Sequence, residues 1–244
     1  MTLAALGRFL APLALTIATV VPAYASNTGL DAQFDSVIGR DSAPREFNAT
    51  YDTALQRQIT QLADSDRGRI GVAAVDLATG QQVAVLGNQR FPLASTSKIA
   101  IVATFLEGVD QGRWSLDDKF PMMITETRAG RLMSARELIE LAITRSNNEA
   151  ADGLLHAVGG PAAVDAWVHR AGIANFSLDR YITTLVHEDG AIDPADHIDN
   201  RDSATPLAMV ELVKGLHDGR WLSQSSRQVL LGAMERCKTG PQRI

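Results

Sequence analysis

Apolar and polar positions recur with two different periods along the chain, and the change of period divides it. Residues 51–62 carry apolar side chains at near-helical spacing with polar ones between, which predicts an amphipathic helix. Residues 70–76 and 82–86 are short runs rich in valine and isoleucine, separated by Leu77-Ala-Thr-Gly80; this predicts two strands joined by a glycine-bearing loop, a β-hairpin. Residues 99–106 are apolar on every side and read as a buried helix. From Ser95 onward the pattern is almost entirely helical. Ser134 and Glu137 form a capping box before a helix through Ile143, and Ser146 and Glu149 form another before a helix at 149–158. Residues 224–236 place Val229, Leu230, Leu231 and Met234 on one side of a last helix, and 112–118 read as a loop.

Residues 1–25 follow different rules. Arg8 supplies a positive start, residues 9–21 an apolar stretch, and Ala23-Tyr24-Ala25 a small-residue cleavage site before Ser26. The apolar stretch is short for a membrane span, so it reads as a signal peptide and not a stable membrane anchor. The expectation is a mature protein outside the cytoplasm, periplasmic or extracellular. Residues 26–46 are polar and patternless and read as a flexible arm, with a domain at 47–244.

Composition narrows the partners. A formal net charge of −5 and no basic stripe argue against nucleic acid. One cysteine, Cys237, excludes an internal disulfide. Five scattered histidines lack ligand spacing; His187 and His197 flank acids in a loop but have no paired partners, so no metal is expected.

The chemistry gathers at Phe91-Pro-Leu-Ala-Ser95-Thr-Ser-Lys98, where the hairpin hands over to the helices. A serine at a helix start lies beside unpaired backbone N–H groups that favour negative charge on whatever its hydroxyl attacks. Lys98 lies three residues on, so both side chains share a face. A desolvated amine can lose its proton near neutral pH and act as a base for the hydroxyl. The competing reading is a simple helix cap. At Ser146 too, a cap is the alternative to a hydroxyl that relays protons, while the Asn148 amide can grip a carbonyl.

Ser95-x-x-Lys98, then Ile143-Thr-Arg-Ser146-Asn147-Asn148, Leu154-Leu-His-Ala-Val-Gly-Gly160-Pro, Phe176-Ser-Leu-Asp-Arg180 and Asn200-Arg-Asp202 resemble the class A serine β-lactamase family and its penicillin-binding relatives. The resemblance runs from about Tyr51 to the last residue. It implies an α/β fold with two lobes, an all-helical lobe at about 95–236 against an antiparallel-sheet lobe that includes 51–90. It also implies a β-lactam or peptidoglycan-like small-molecule substrate, no cofactor and a monomer. Ser95 would be the acylated nucleophile, Lys98 its base or proton conduit, Ser146 the proton shuttle and Asn148 a substrate ligand. The family's Ser-Asp-Asn has Asn147 in the middle here, which keeps the shape and loses a charge.

Two departures bear on the expected chemistry. The family carries a glutamate two residues after the arginine of Leu-Asp-Arg, where it holds the water that cleaves the acyl-enzyme; Ile182 stands there in this chain. Deacylation is therefore expected to be impaired, with Glu188 in the long following loop a candidate substitute base. An acyl trap and a truncated, inactive homologue are the alternative readings. The family also ends in strands bearing Lys-Thr-Gly. The Lys238-Thr239-Gly240 of this chain directly follows a helical pattern and precedes Pro241, so it reads as a coincidence, with the C-terminal strands missing. Two strands alone are marginal, and the expectation is a weakly stable hairpin with an open edge.

Overall fold

The computed structural model describes residues 54–63, 69–188 and 198–240. The expected signal peptide, the arm at 26–46 and residues 51–53 of the first expected helix lie outside the described residues, as do His197, Asp193 and Pro241. The elements in chain order are α1 (Ala54–Ala63), β1 (Val72–Val75), β2 (Gln82–Val85), β3 (Phe91–Pro92), a 3-10 turn (Ala94–Thr96), α2 (Ser97–Asp110), β4 (Lys119–Thr125) and β5 (Arg128–Ser134). They continue with α3 (Ala135–Thr144), α4 (Asn148–Val158), α5 (Pro161–Arg170), β6 (Phe176–Ser177), α6 (Ile182–His187), β7 (Ser203–Ala204), α7 (Pro206–Asp218) and α8 (Gln224–Glu235).

The centre is α2. Ala100, Ile101, Val102, Ala103, Phe105 and Leu106 are fully buried, so the helix meets neighbours on every side, as an all-apolar run requires. It packs on α3, α4, α5 and α8. The Ser134–Glu137 capping box opens α3 as the spacing predicts, each partner closing the other's backbone N–H.

The expected hairpin is β1 paired antiparallel with β2, Val72 opposite Val85 and Val75 opposite Gln82. Among the described residues this is a two-stranded sheet, backed by α7 behind β1 and α1 behind β2.

The helical lobe is not all helical, which corrects the sequence reading. β4 and β5 form a second hairpin inside it, with register shifts between Pro121 and Met123 and between Met123 and Thr125. Those bulges break the strict alternation by which a strand is read from sequence. Phe120 and Met122 pack against the core, Phe120 edge-on to Phe105 at 5.4 Å. Helix α4 runs close to β4 because residue 153 is glycine: a Cβ there would lie 2.4 Å from the Pro121 carbonyl oxygen.

A small three-stranded sheet, in the order β3-β7-β6, fixes the approach to Ser95. Phe91 pairs with Ala204 and Pro92 with Ser203, and the Leu93 N–H donates to the Asp202 carbonyl at 2.8 Å. Arg90 crosses the same sheet, donating to the Ser203 hydroxyl and carbonyl, both at 3.0 Å.

Candidate active site

Ser95 sits in the 3-10 turn just ahead of α2, exposed, while Lys98 in the first turn of the helix is 1% exposed. The sequence reading opened the helix at Ser95; the regular α-helix begins two residues later, at Ser97. Ala94 adopts a left-handed φ of 44°, an uncommon conformation for a residue with a Cβ.

Ser146 is likewise left-handed, with φ 53°. Here the structure corrects the expected capping box at Ser146 and Glu149. The helix cap is Asn147, whose side chain accepts from the Ala150 N–H at 2.7 Å, and α4 starts at Asn148. Capping by Asn147 leaves the Ser146 hydroxyl for other work. It donates to Ser95 Oγ at 2.7 Å.

Lys98 Nζ joins these groups. It lies 3.1 Å from Ser95 Oγ, 2.8 Å from Ser146 Oγ, 2.7 Å from the Ser146 carbonyl and 2.7 Å from Asn148 Oδ1. The four residues singled out from sequence, Ser95, Lys98, Ser146 and Asn148, thus meet around one nitrogen. Four acceptors face at most three N–H bonds. The carbonyl and the Asn148 amide oxygen can only accept, whereas the two hydroxyls can also donate. A neutral amine keeps its N–H bonds on the former pair and turns its lone pair toward a hydroxyl. Burial pushes the Lys98 amine down to about 8, against an opposing pull from the negative charge of Asp152.

Asp152 was not singled out from sequence. It is fully buried on α4, four residues after Asn148 and so on the same helix face. Its Oδ1 accepts the Ile182 N–H at 2.7 Å; its Oδ2 accepts the Thr183 N–H at 2.9 Å and the Thr183 hydroxyl at 2.6 Å. Burial raises its pKa, and these donors and Lys98 counter the rise. The available signal was an acid inside the apolar run Ala150-Ala151-Asp152-Gly153-Leu154-Leu155.

Ile182 is 2% exposed at the start of α6, joined to Asp152 through its backbone only. Glu188 lies at the other end of α6, half-exposed, its carboxylate accepting from Arg180 Nη1 at 2.7 Å. The structure does not join it to the Ser95 cluster. Arg180 also holds Asp202, through Nε at 2.6 Å, and Asp202 accepts the backbone N–H groups of Asp179 and Arg180. Lys238, Thr239 and Gly240 lie in irregular chain after α8, with the Lys238 N–H on the Thr144 carbonyl at 3.0 Å, in agreement with reading that triplet as a coincidence. Among the described residues no cluster of three or more metal-ligating side chains occurs, and no helix is long and apolar enough to cross a membrane.

The model of a family described as the beta-lactamase enzyme family matches residues 54–244. Beta-lactamase CTX-M-97 of Escherichia coli is 29% identical over 235 residues, 93% of this chain and 72% of its own length. Beta-lactamase L2 of Stenotrophomonas maltophilia is 31% identical over 205 residues, 80% of this chain and 65% of its own. Among solved structures, an ancestral (GNCA) class A beta-lactamase superposes with a TM-score of 0.67 at 38% identity, over 76% of this chain and 72% of that one. A beta-lactamase from Chitinophaga pinensis gives 0.68 at 28% identity, over 77% and 72%. With its two-lobed α/β fold and these relatives, the chain belongs to the class A serine beta-lactamase family as a divergent member.

Proposed function

We propose that this member opens β-lactam rings through an acyl-enzyme on Ser95 and releases the product slowly. The observation that carries the reading is a buried amine touching an exposed hydroxyl, Lys98 Nζ at 3.1 Å from Ser95 Oγ. Ser95 Oγ attacks the lactam carbonyl carbon while its proton passes to neutral Lys98. As the ring C–N bond breaks, the leaving nitrogen takes a proton from Ser146 Oγ, which Lys98 resupplies across 2.8 Å. Asn148 turns its amide N–H toward the substrate carbonyl while its oxygen stays on Lys98.

Slow release follows from the start of α6. A positioned base contributes about 10²–10⁴-fold to such a step, and Ile182 offers the acyl ester a hydrocarbon in the place of the family's glutamate. Glu188 could substitute only by leaving Arg180. A second reading, an acyl trap for penicillins or peptidoglycan stem peptides, is favoured by the same buried Ile182. We place the activity outside the cytoplasm, in a monomer, from the signal-like pattern of residues 1–25 and the small-molecule character of the site.

The test is an intact-mass time course of the protein with a penicillin, beside Ser95→Ala. The expected result is a Ser95-dependent adduct that decays slowly with release of hydrolysed penicillin. An adduct that never decays selects the trap, and no adduct on folded protein overturns both readings.

A further inference from the structure

We propose that Asp152 is a positioning residue of the acylating centre: it fastens the first turn of α6 to α4, and its negative charge holds the Lys98 ammonium in the site until substrate enters. This rests on the reading of Lys98 as the proton acceptor of Ser95.

All three bonds to the Asp152 carboxylate come from donors, two backbone N–H groups and a hydroxyl, which is the pattern of an ionised group. An ionised carboxylate with no exposed surface needs a counter-charge. Lys98 supplies it. Asn148, one helical turn before Asp152, touches Lys98 Nζ, so the carboxylate and the amine lie on the same face of α4. The other titratable groups facing this region are few. Tyr181 precedes α6 and is pushed up by burial and then by Glu126 and Asp152. Glu126, on the turn between β4 and β5, accepts from the Thr184 hydroxyl at 3.4 Å, and His156, one turn after Asp152 on α4, lies against the Tyr181 ring at 5.3 Å. Lys98 Nζ bonds Ser95, Ser146 and Asn148 and no carboxylate, so Asp152 acts on the cation through space, each group favouring the charged form of the other.

The arrangement couples two events. The donors that tie α6 to Asp152 also keep the carboxylate ionised, and the ionised carboxylate favours the protonated amine. Displacement of the Ile182–Thr183 turn would remove three donors at once, favour a neutral Asp152 and free the Lys98 lone pair.

Asp152→Asn keeps the size and removes the charge; Thr183→Val loosens the turn and keeps the charge. In the full chain, the midpoint of the acylation rate against pH, read by intact mass with a penicillin, moves downward by about half a unit or more in Asp152→Asn. It moves downward by less in Thr183→Val, which removes one of the three donors and keeps the carboxylate. An unmoved midpoint in Asp152→Asn, or an equal shift in both variants, overturns the proposal. A measurement on the unaltered protein covers the case of an unfolded variant. The chain has four lysines, and the Lys98 side-chain carbon signal can be titrated by NMR. Two inflections are expected, its own and a smaller acid one from Asp152; a single inflection overturns the coupling. That titration needs no acylation, so a protein that never forms a Ser95 adduct refutes the functional reading separately.

Discussion

An amine held at about 8 in place of the ordinary lysine value near 10.5 makes acylation a steep function of pH in an accessible range. If neutral Lys98 takes the Ser95 proton, the rate follows the neutral fraction, about 1% at pH 6, about 9% at pH 7, about 50% at pH 8 and about 90% at pH 9. The rate with a penicillin in excess should therefore rise about fiftyfold from pH 6 to pH 8 and less than twofold from pH 8 to pH 9. Quenched-flow mixing with intact-mass detection measures it directly, counting only the Ser95 adduct. The same burial acts on stability in a fixed direction. Because the folded form holds the Lys98 proton less tightly than the unfolded form, burial of the ammonium costs stability below pH 8, and that cost is relieved as pH rises toward 10.5. A flat acylation profile between pH 6 and 9 would refute the assignment of Lys98 as the base, and one still climbing tenfold per unit at pH 9 would refute the lowering of its amine to about 8.

Gly153→Ala drives a Cβ to 2.4 Å from the backbone oxygen of Pro121, and a carbonyl in a paired strand cannot rotate aside. Overpacking of about 1–3 kcal/mol exceeds the helix-propensity gain of about 1 kcal/mol, so the urea midpoint should fall; an unchanged or higher midpoint contradicts the close approach of α4 to β4. Ile182→Glu places a carboxylate at the start of α6 and should shorten the lifetime of the Ser95 adduct at least about tenfold in a mass time course; an unaltered lifetime means that another group limits deacylation. Glu188→Gln should leave that lifetime within about twofold, because the carboxylate is engaged by Arg180; a clear lengthening would identify Glu188 as the substitute base.

Helices α1, α2, α3, α4 and α8 and the first hairpin were legible because a single face or a single run decides them, whereas α6 lies in a stretch that reads as a loop. The run at 99–106 has no polar face to offer solvent, and two short apolar runs flanking a glycine-bearing loop pair as β1 and β2, Val72 opposite Val85 and Val75 opposite Gln82. The second hairpin was not legible. Pro121 and Gly130 sit inside it, Arg128 and Arg131 fall among its apolar positions, and two register shifts displace its alternation. Ser146 illustrates a different limit. Ser146 and Asn147 are both good helix caps, and only the left-handed backbone at 146 assigns the cap to Asn147 and turns the serine toward Ser95. Lys98 beside Ser95 needed only the spacing of three. Asp152 lay in plain sight on the face of Asn148, but an acid on a helix reads as a solvated residue until the turn at Ile182 covers it.

The two halves of the chemistry are built on unequal foundations. The proposed acylating groups stand in or just ahead of the first turns of α2 and α4, whose inner faces are without exposed surface at Ala100, Ile101, Val102, Ala150, Ala151 and Leu154. Their strained neighbours, Ala94 and Ser146, are held by that packing, and a core this dense deforms little. On the proposed reading, the position that governs deacylation is Ile182, buried at the start of a six-residue helix whose backbone N–H groups bond Asp152. Those bonds do not depend on which side chain residue 182 carries. On that reading a change of side chain there alters the fate of the acyl-enzyme while Ser95, Lys98, Ser146 and Asn148 stay in register, and hydrolase and trap would differ by one residue on a common acylating frame.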